Sequence, residues 1–302
     1  MKFFIKIVFL LYISVGFSQQ EAQFTQYMYN TTLINPAYAG SRDILSIFGN
    51  YRAQWIGLEG APQTSAFAIH SPVKFSNVGL GFSVINEKIG PSNDATISGD
   101  FSYTIPTSDR FQLAFGLKAS VSLFSLDYGM LDILQPEDPT IQNISSKGTP
   151  NVGAGAYWYS DEAYFGISMP IIFNRTRYND NEIAIYQEKL TYYVMGGYVF
   201  DLKEDWKFKP ALLIKNTYGA PLQLDLSANF QAFEKVTFGG AWRNSGAFSA
   251  LAGFQISPTL FMGYAYDAET TKLARYNSGT HEFFIRFEMA SRLKKVVSPR
   301  FF

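Results

Sequence analysis

The chain has 302 residues, 47% of them hydrophobic and 17% aromatic, with 19 Tyr and 28 Phe. Its 25 Lys and Arg balance 25 Asp and Glu, so the whole chain offers no basic field to attract nucleic acid. Cysteine is absent, which excludes disulfides, thiolate catalysis, Cys-based zinc sites and a lipid-modified N-terminal Cys.

In residues 1–18, Lys2 and Lys6 precede an apolar stretch from Ile7 to Phe17, and Ser18 stands before Gln19-Gln20. This is the order of a secretory signal peptide cleaved near Ser18. Its apolar core is shorter than a membrane span, and no later run approaches the roughly 18 apolar residues that a spanning helix needs. Residues 19–43 contain Asn35-Pro36 and Gly40 but no period, and are read as an irregular periplasmic segment outside the regular structure. Phe24, Tyr27, Tyr29 and Tyr38 are awkward in a free linker, which should be polar, so this stretch is expected to pack on something.

From residue 44 the period becomes two. Between Leu222 and Gln231 every even position is apolar and every odd one polar, which on a strand gives one apolar and one hydrophilic face. Ile97, Gly99, Phe101 and Tyr103 oppose Ser98, Asp100, Ser102 and Thr104; Phe283, Ile285, Phe287 and Met289 oppose Glu282, Arg286 and Glu288. Strands are predicted near 44–56, 64–72, 78–87, 95–106, 111–126, 151–160, 163–173, 189–202, 206–218, 221–233, 235–244, 247–257, 260–269 and 279–289. A greasy outer and a wet inner face describe an all-β, transmembrane antiparallel outer-membrane barrel of about fourteen strands, with aromatics to supply its interfacial girdles. A soluble sandwich would turn polar faces outward.

Loop parity is an independent check, because such barrels have short periplasmic turns and longer outer loops. With the first strand running outward, the short connections fall at Ser76-Asn77, Thr107 to Arg110, Asp161-Glu162, Lys203 to Asp205, Phe233-Glu234 and Pro258-Thr259. The long ones, Tyr128 to Pro150, Asn174 to Glu188 and Thr270 to Ser278, fall on the other side, where Gly219-Ala220 and Ser245-Gly246 are short. The division is signal peptide 1–18, periplasmic segment 19–43, barrel 44–289 and a periplasmic tail 290–302 carrying Arg292, Lys294, Lys295 and Arg300.

The inward phase contains Arg52, Asp100, Lys118, Lys207, Lys209, Lys215, Asp225, Arg243, Asp267, Glu282 and Arg286, of both signs, which are expected to pair inside a lumen. Eight strands leave an interior filled by side chains and sixteen or more a water channel. Fourteen leave room for a ligand, a folded-in loop or a segment of another protein.

Catalysis finds little support. His281 falls on the lipid-facing side near a rim, and His70 and Ser71 are strand neighbours that point to opposite faces. No Gly-x-Ser-x-Gly turn, His-Glu-x-x-His helix or phosphate-binding loop is present. Gly79-Leu-Gly81 and Gly153-Ala-Gly155 lie within strand patterns, where small residues ease bending. Asp132, Glu137 and Asp138, and Asp161-Glu162, read as solvated loops rather than calcium ligands. No catalytic residue, cofactor or metal is expected, which leaves an interaction barrel and, as the alternative, a channel or transporter for small or hydrophobic solutes.

Gln23-Phe24-Thr25-Gln26-Tyr27-Met28-Tyr29-Asn30, followed by Leu33-Ile34-Asn35-Pro36-Ala37-Tyr38-Ala39-Gly40, resembles the opening of the PorP/SprF family of Bacteroidetes outer-membrane proteins. Further matches are Tyr51-Arg52 to Trp55, Gly79-Leu80-Gly81 leading to Glu87-Lys88-Ile89-Gly90, Gly263-Tyr264-Ala265-Tyr266-Asp267, Thr280-His281-Glu282 and Ser298-Pro299-Arg300. The family often has Asp in the segment before Gly90; Glu87-Lys88 stands here, and no role is carried over to it. The resemblance implies a part in the type IX secretion system and, in gliding relatives, in exporting or holding a large surface adhesin. Implied partners are a secreted surface protein with a type IX C-terminal domain, periplasmic components of the machinery, and outer-membrane lipid. Phe24, Gln26, Tyr27, Asn30, Asn35, Pro36, Tyr38 and Gly40 are then candidates for partner contact. Their segment is expected to close the periplasmic mouth or bind a periplasmic partner, while the lumen and outer loops receive the exported protein.

Overall fold

Strands that face lipid must pair every main-chain polar group, and a sheet achieves this only by closing on itself. The computed structural model describes residues 23–131, 143–178 and 184–289, and in them the sheet closes. The strands are β1 (Leu45–Ala53), β2 (Gln63–Pro72), β3 (Val78–Ile89), β4 (Ser92–Pro106), β5 (Gln112–Leu126), β6 (Ile144–Tyr159), β7 (Ala163–Ile171), β8 (Arg175–Tyr178) and β9 (Ala184–Glu188). They continue as β10 (Thr191–Tyr198), β11 (Phe200–Lys203), β12 (Trp206–Thr217), β13 (Gln223–Ala232), β14 (Val236–Arg243), β15 (Ala247–Ser257), β16 (Leu260–Glu269) and β17 (Thr280–Met289). Strands β8 and β9 form a separate hairpin, and β10 and β11 are one strand interrupted at Val199. The remaining ring is a closed antiparallel barrel of fourteen strands, sealed where β17 pairs with β1.

Several boundaries differ from those expected. Strand β6 begins at Ile144 rather than near 151, because β5 continues to Leu126 and pairs with it there. Strands β3 and β4 extend until only Gly90-Pro91 joins them, a further short connection on the side of the long loops. The stretch expected to be loop over 174–188 contains the β8–β9 hairpin, closed by its own ladder from Arg175 to Glu188. The expected signal peptide, the expected tail and the Asp132, Glu137, Asp138 loop lie outside the described residues.

The faces are inverted relative to a soluble protein. Leu117 is 63% exposed while its neighbour Lys118 is 5% exposed. Phe101, Phe115, Phe248, Phe283 and Ile285 stand outward, and Asp100, Ser102 and Glu282 are buried inward, as the alternation of a membrane barrel requires. Phe200, Phe208, Phe230, Phe238 and Trp206 form a chain of neighbouring rings beside the Glu204-Asp205 turn, the position of an interfacial aromatic belt. Short turns at Val73–Asn77, Thr107–Phe111, Ser160–Glu162, Glu204–Asp205, Phe233–Lys235 and Pro258–Thr259 share one rim. Longer connections share the other, including Gln54–Pro62, residues 127–143 and Thr270–Gly279. The short-turn rim is the periplasmic one for barrels of this class.

Candidate functional site, a plug tied at both rims

Of the segment read as lying outside the barrel, residues 25–42 lie inside it. Every residue from Thr25 to Arg42 is buried, in three short 3-10 turns, Tyr27–Tyr29, Thr31–Leu33 and Pro36–Tyr38. The reason lies in its composition: aromatic and aliphatic groups that no aqueous linker could hide find cover against the barrel wall. Tyr29 stacks on Phe284 at 4.5 Å and lies 5.3 Å from Phe261, both inward-pointing. Tyr38 sets its edge against His70 and Tyr157, at 5.5 and 5.4 Å. The lumen expected to receive an exported protein therefore holds this chain's own residues, and neither closure of the periplasmic mouth alone nor free display of these side chains to a periplasmic partner describes them.

Near the long-loop rim the plug is tied by charge. Glu282 accepts the backbone amides of Thr25 and Gln26 at 2.9 and 3.1 Å, and the side-chain amide of Gln26 reaches the Glu282 carbonyl at 3.3 Å. Arg52 forks between Glu282 and Asp267, 2.8 Å from each, and also donates to the Thr25 hydroxyl. The Thr25 hydroxyl in turn donates to Asp267 at 2.7 Å. Arg243 pairs with Asp225 at 2.9 Å and reaches the Gln23 side chain at 3.3 Å. Buried charges are tolerable only when paired and hydrogen-bonded, and here each is.

In the middle of the lumen the ties are polar but mostly uncharged. Asn35 caps the Pro36–Tyr38 turn by accepting the Ala37 amide at 3.0 Å, and its amide nitrogen donates to the Ala156 carbonyl at 3.1 Å. Ser168 and Ser102 donate to the carbonyls of Ile34 and Ala39, each at 2.7 Å. Lys118 pairs with Asp100 at 3.2 Å and donates to the Thr32 and Leu33 carbonyls at 3.4 Å. At the short-turn rim Arg42 pairs with Glu288, which also faces Arg286 at 3.5 Å, and the Gly40 amide donates to His70 Nδ1 at 3.2 Å.

Close approach of two backbones needs missing side chains. A Cβ at Gly116 would lie 2.1 Å from the Ala37 nitrogen, one at Gly79 2.2 Å from the Ala39 carbonyl oxygen, and one at Gly155 2.2 Å from Asn35 Oδ1. Gly79 and Gly155, read as easing strand curvature, serve instead as a track along which the plug lies.

All the charged inward candidates in the ring that were singled out from the sequence, Arg52, Asp100, Lys118, Asp225, Arg243, Asp267, Glu282 and Arg286, are buried, and they gather into separate groups rather than one centre. Lys209 and Lys215 are buried as well, while Lys207 is partly exposed beside Asp201. Of the plug candidates, Gln26, Tyr27, Asn30, Asn35, Pro36, Tyr38 and Gly40 are buried in the lumen, and Phe24 packs against that core. Thr25, Arg42, Ser102, Ser168 and Gly116 were not anticipated. Their only signal in the sequence was placement in the inward phase, or inside an aromatic stretch whose destination was unknown. Among the described residues no group of three metal-ligating side chains occurs.

A comparison with curated proteins returned no match. Among solved structures, a CymD monoaromatic hydrocarbon channel aligns with TM-score 0.49 at 9% identity, over 91% of this chain and 96% of that one. A TodX deltaS2S3 mutant monoaromatic hydrocarbon channel aligns with TM-score 0.49 at 7% identity, over 90% and 94%. A NanC porin aligns with TM-score 0.42 at 9% identity, over 82% and 100%. At these values the likeness carries nothing about cargo. The family comparison is of a different order: residues 16–287 match the model described as type IX secretion system membrane protein PorP/SprF, and the chain belongs to that family.

Proposed function

We propose that this chain is a non-enzymatic outer-membrane barrel that assists secretion or surface anchoring of a partner protein through the partner's type IX C-terminal domain. An adhesin-like partner, serving gliding in some members, fits the family role. The observation that carries the reading is the plug: Thr25 to Arg42 are buried along the lumen and tied at each rim, so the chain's own residues occupy the space a guest would need. What remains to meet a partner is the outer loops, the periplasmic rim and the lipid-facing wall. A solute channel would need a path past these residues, and no observation favours it. The test is isolation of the barrel from its native membrane. Co-purification of a secreted protein bearing such a domain, together with periplasmic machinery, is expected; their absence, with normal surface display in a strain lacking the barrel, would overturn the proposal.

A further inference from the structure

Four rings stand in one row across the outer wall. Phe200 lies opposite Phe208 in the register of the sheet, Phe208 opposite Phe230, and Phe230 opposite Phe238. Closer to the short-turn rim the row gives way to Trp206, 6.1 Å from Phe238 at an interplanar angle of 82° and 6.1 Å from Phe233 at 63°. Set on edge against these neighbours, the indole flanks a hollow of about 390 Å3, lined by Leu202, Lys203, Trp206, Phe230 and Phe238. Leu202, Trp206, Phe230 and Phe238 belong to the outward phase of β11 to β14, so the hollow is a dent in the lipid-facing wall that ends at the Glu204-Asp205 turn.

Two donors on this lining have no acceptor in the protein. Among the described residues neither the Lys203 ammonium nor the Trp206 indole N–H makes a hydrogen bond or ion pair. Neighbouring groups of the same kind do: Lys207 pairs with Asp201 at 3.3 Å, and the indoles of Trp55 and Trp158 donate to Glu269 and Thr107. A ring N–H at the edge of an apolar band finds its acceptor among lipid head groups, and a Lys at that level extends its stem over apolar surface and its charge toward phosphate. Glu204 and Asp205, exposed in the same turn, add the opposite sign at the mouth. We infer that this hollow seats one phospholipid of the periplasmic leaflet, with an acyl chain against Leu202, Phe230 and Phe238, its phosphate at Lys203 and Trp206, and the ammonium of an ethanolamine head group at Glu204 and Asp205. The hollow is continuous with the wall that lipid already covers, which supplies the acyl chain. A cation beside two carboxylates matches a zwitterion, whereas an anionic head group meets the same carboxylates without a charge to offer them. A lipid held there fixes the depth of the periplasmic rim in the bilayer along β11 to β14.

The test is direct. The barrel is purified in detergent, stripped of lipid and titrated with phosphatidylethanolamine, and native mass spectrometry counts the molecules bound. One molecule is expected to be retained, with phosphatidylglycerol held more weakly. Lys203→Ala is expected to weaken retention about fivefold. Trp206→Phe, which keeps a ring and removes the N–H, should weaken it about tenfold. Lys235→Ala, a cation in the β13–β14 turn outside the lining, should leave it unchanged. Heat-modifiable migration confirms that each variant is folded. Absence of a retained molecule, or equal retention in all three variants, would overturn the seat; phosphatidylglycerol held as well or better would overturn the head-group assignment.

Discussion

The carboxylate of Glu282 accepts the backbone amide of Thr25 at 2.9 Å, across 257 positions of sequence. In the register of the sheet Glu282 lies opposite Arg52, so the first and last strands of the barrel grip the plug together. A buried carboxylate in this position holds two backbone amides and a guanidinium at once, and its loss is felt by all three.

Glu282→Ala leaves Arg52 buried with half its charge partners, an arrangement that costs about 3–5 kcal/mol. The urea midpoint of the folded barrel in lipid should fall accordingly. Pairing Glu282→Ala with Arg52→Met should restore part of the loss, since no orphaned guanidinium remains and Arg243 still faces Asp267 at 4.0 Å. Additive losses in the double variant would show that the two side chains act independently.

Gly116→Val drives a side chain into the Ala37 backbone, and overpacking of this kind costs about 1–3 kcal/mol. The expected result is a plug that becomes cleavable by added protease while the barrel keeps its heat-modifiable migration. Gly99→Val, where a Cβ meets nothing within 4 Å, is the control and should leave the plug protected.

In planar bilayers the intact protein should pass no steady large current. Removing residues 25–42 should open a lasting conductance, since fourteen strands enclose more space than their own side chains fill. A large steady current from the intact protein would show that the plug does not obstruct the lumen.

Deleting residues 21–40 should leave barrel assembly intact and abolish surface display of the partner. Fluorescent antibody on whole cells reads the outcome, and normal display in this variant would separate the plug from the secretion role.

Leu117→Arg places a charge on the outward face, where such a change costs about 2–4 kcal/mol near the bilayer midplane. Folding yield into vesicles should drop sharply. A neutral or solubilising effect would mean that water, not lipid, covers Leu117.

The barrel was legible because membrane strands write their period twice: Phe101 and Leu117 outward, Asp100 and Lys118 inward, with polarity reversing at every residue. Loop parity then fixed the strand number, even though Ile144 and Ile89 extend their strands beyond the predicted ends. The plug was not legible as a plug. Its three 3-10 turns have no sustained period, and burial of Tyr29 or Asn35 is decided by contacts more than a hundred residues away. Phe24, Tyr27 and Tyr38 announced that cover was needed without saying where. The glycines that receive the plug gave a misleading hint, because Gly79 and Gly155 suit strand curvature as well as backbone approach.

Strands β1 and β17 meet edge to edge only after the whole chain has been laid out, yet Arg52 and Glu282 at that junction hold residues made before either strand. The last bonds of the N-terminal segment therefore wait on sealing of the cylinder, whereas the ladder that seals it is made by the two strands alone. A barrel that zipped shut around an empty lumen would trap Arg52, Asp267 and Glu282 without Thr25, and the outer-membrane assembly apparatus would be handling a product short of its own final bonds.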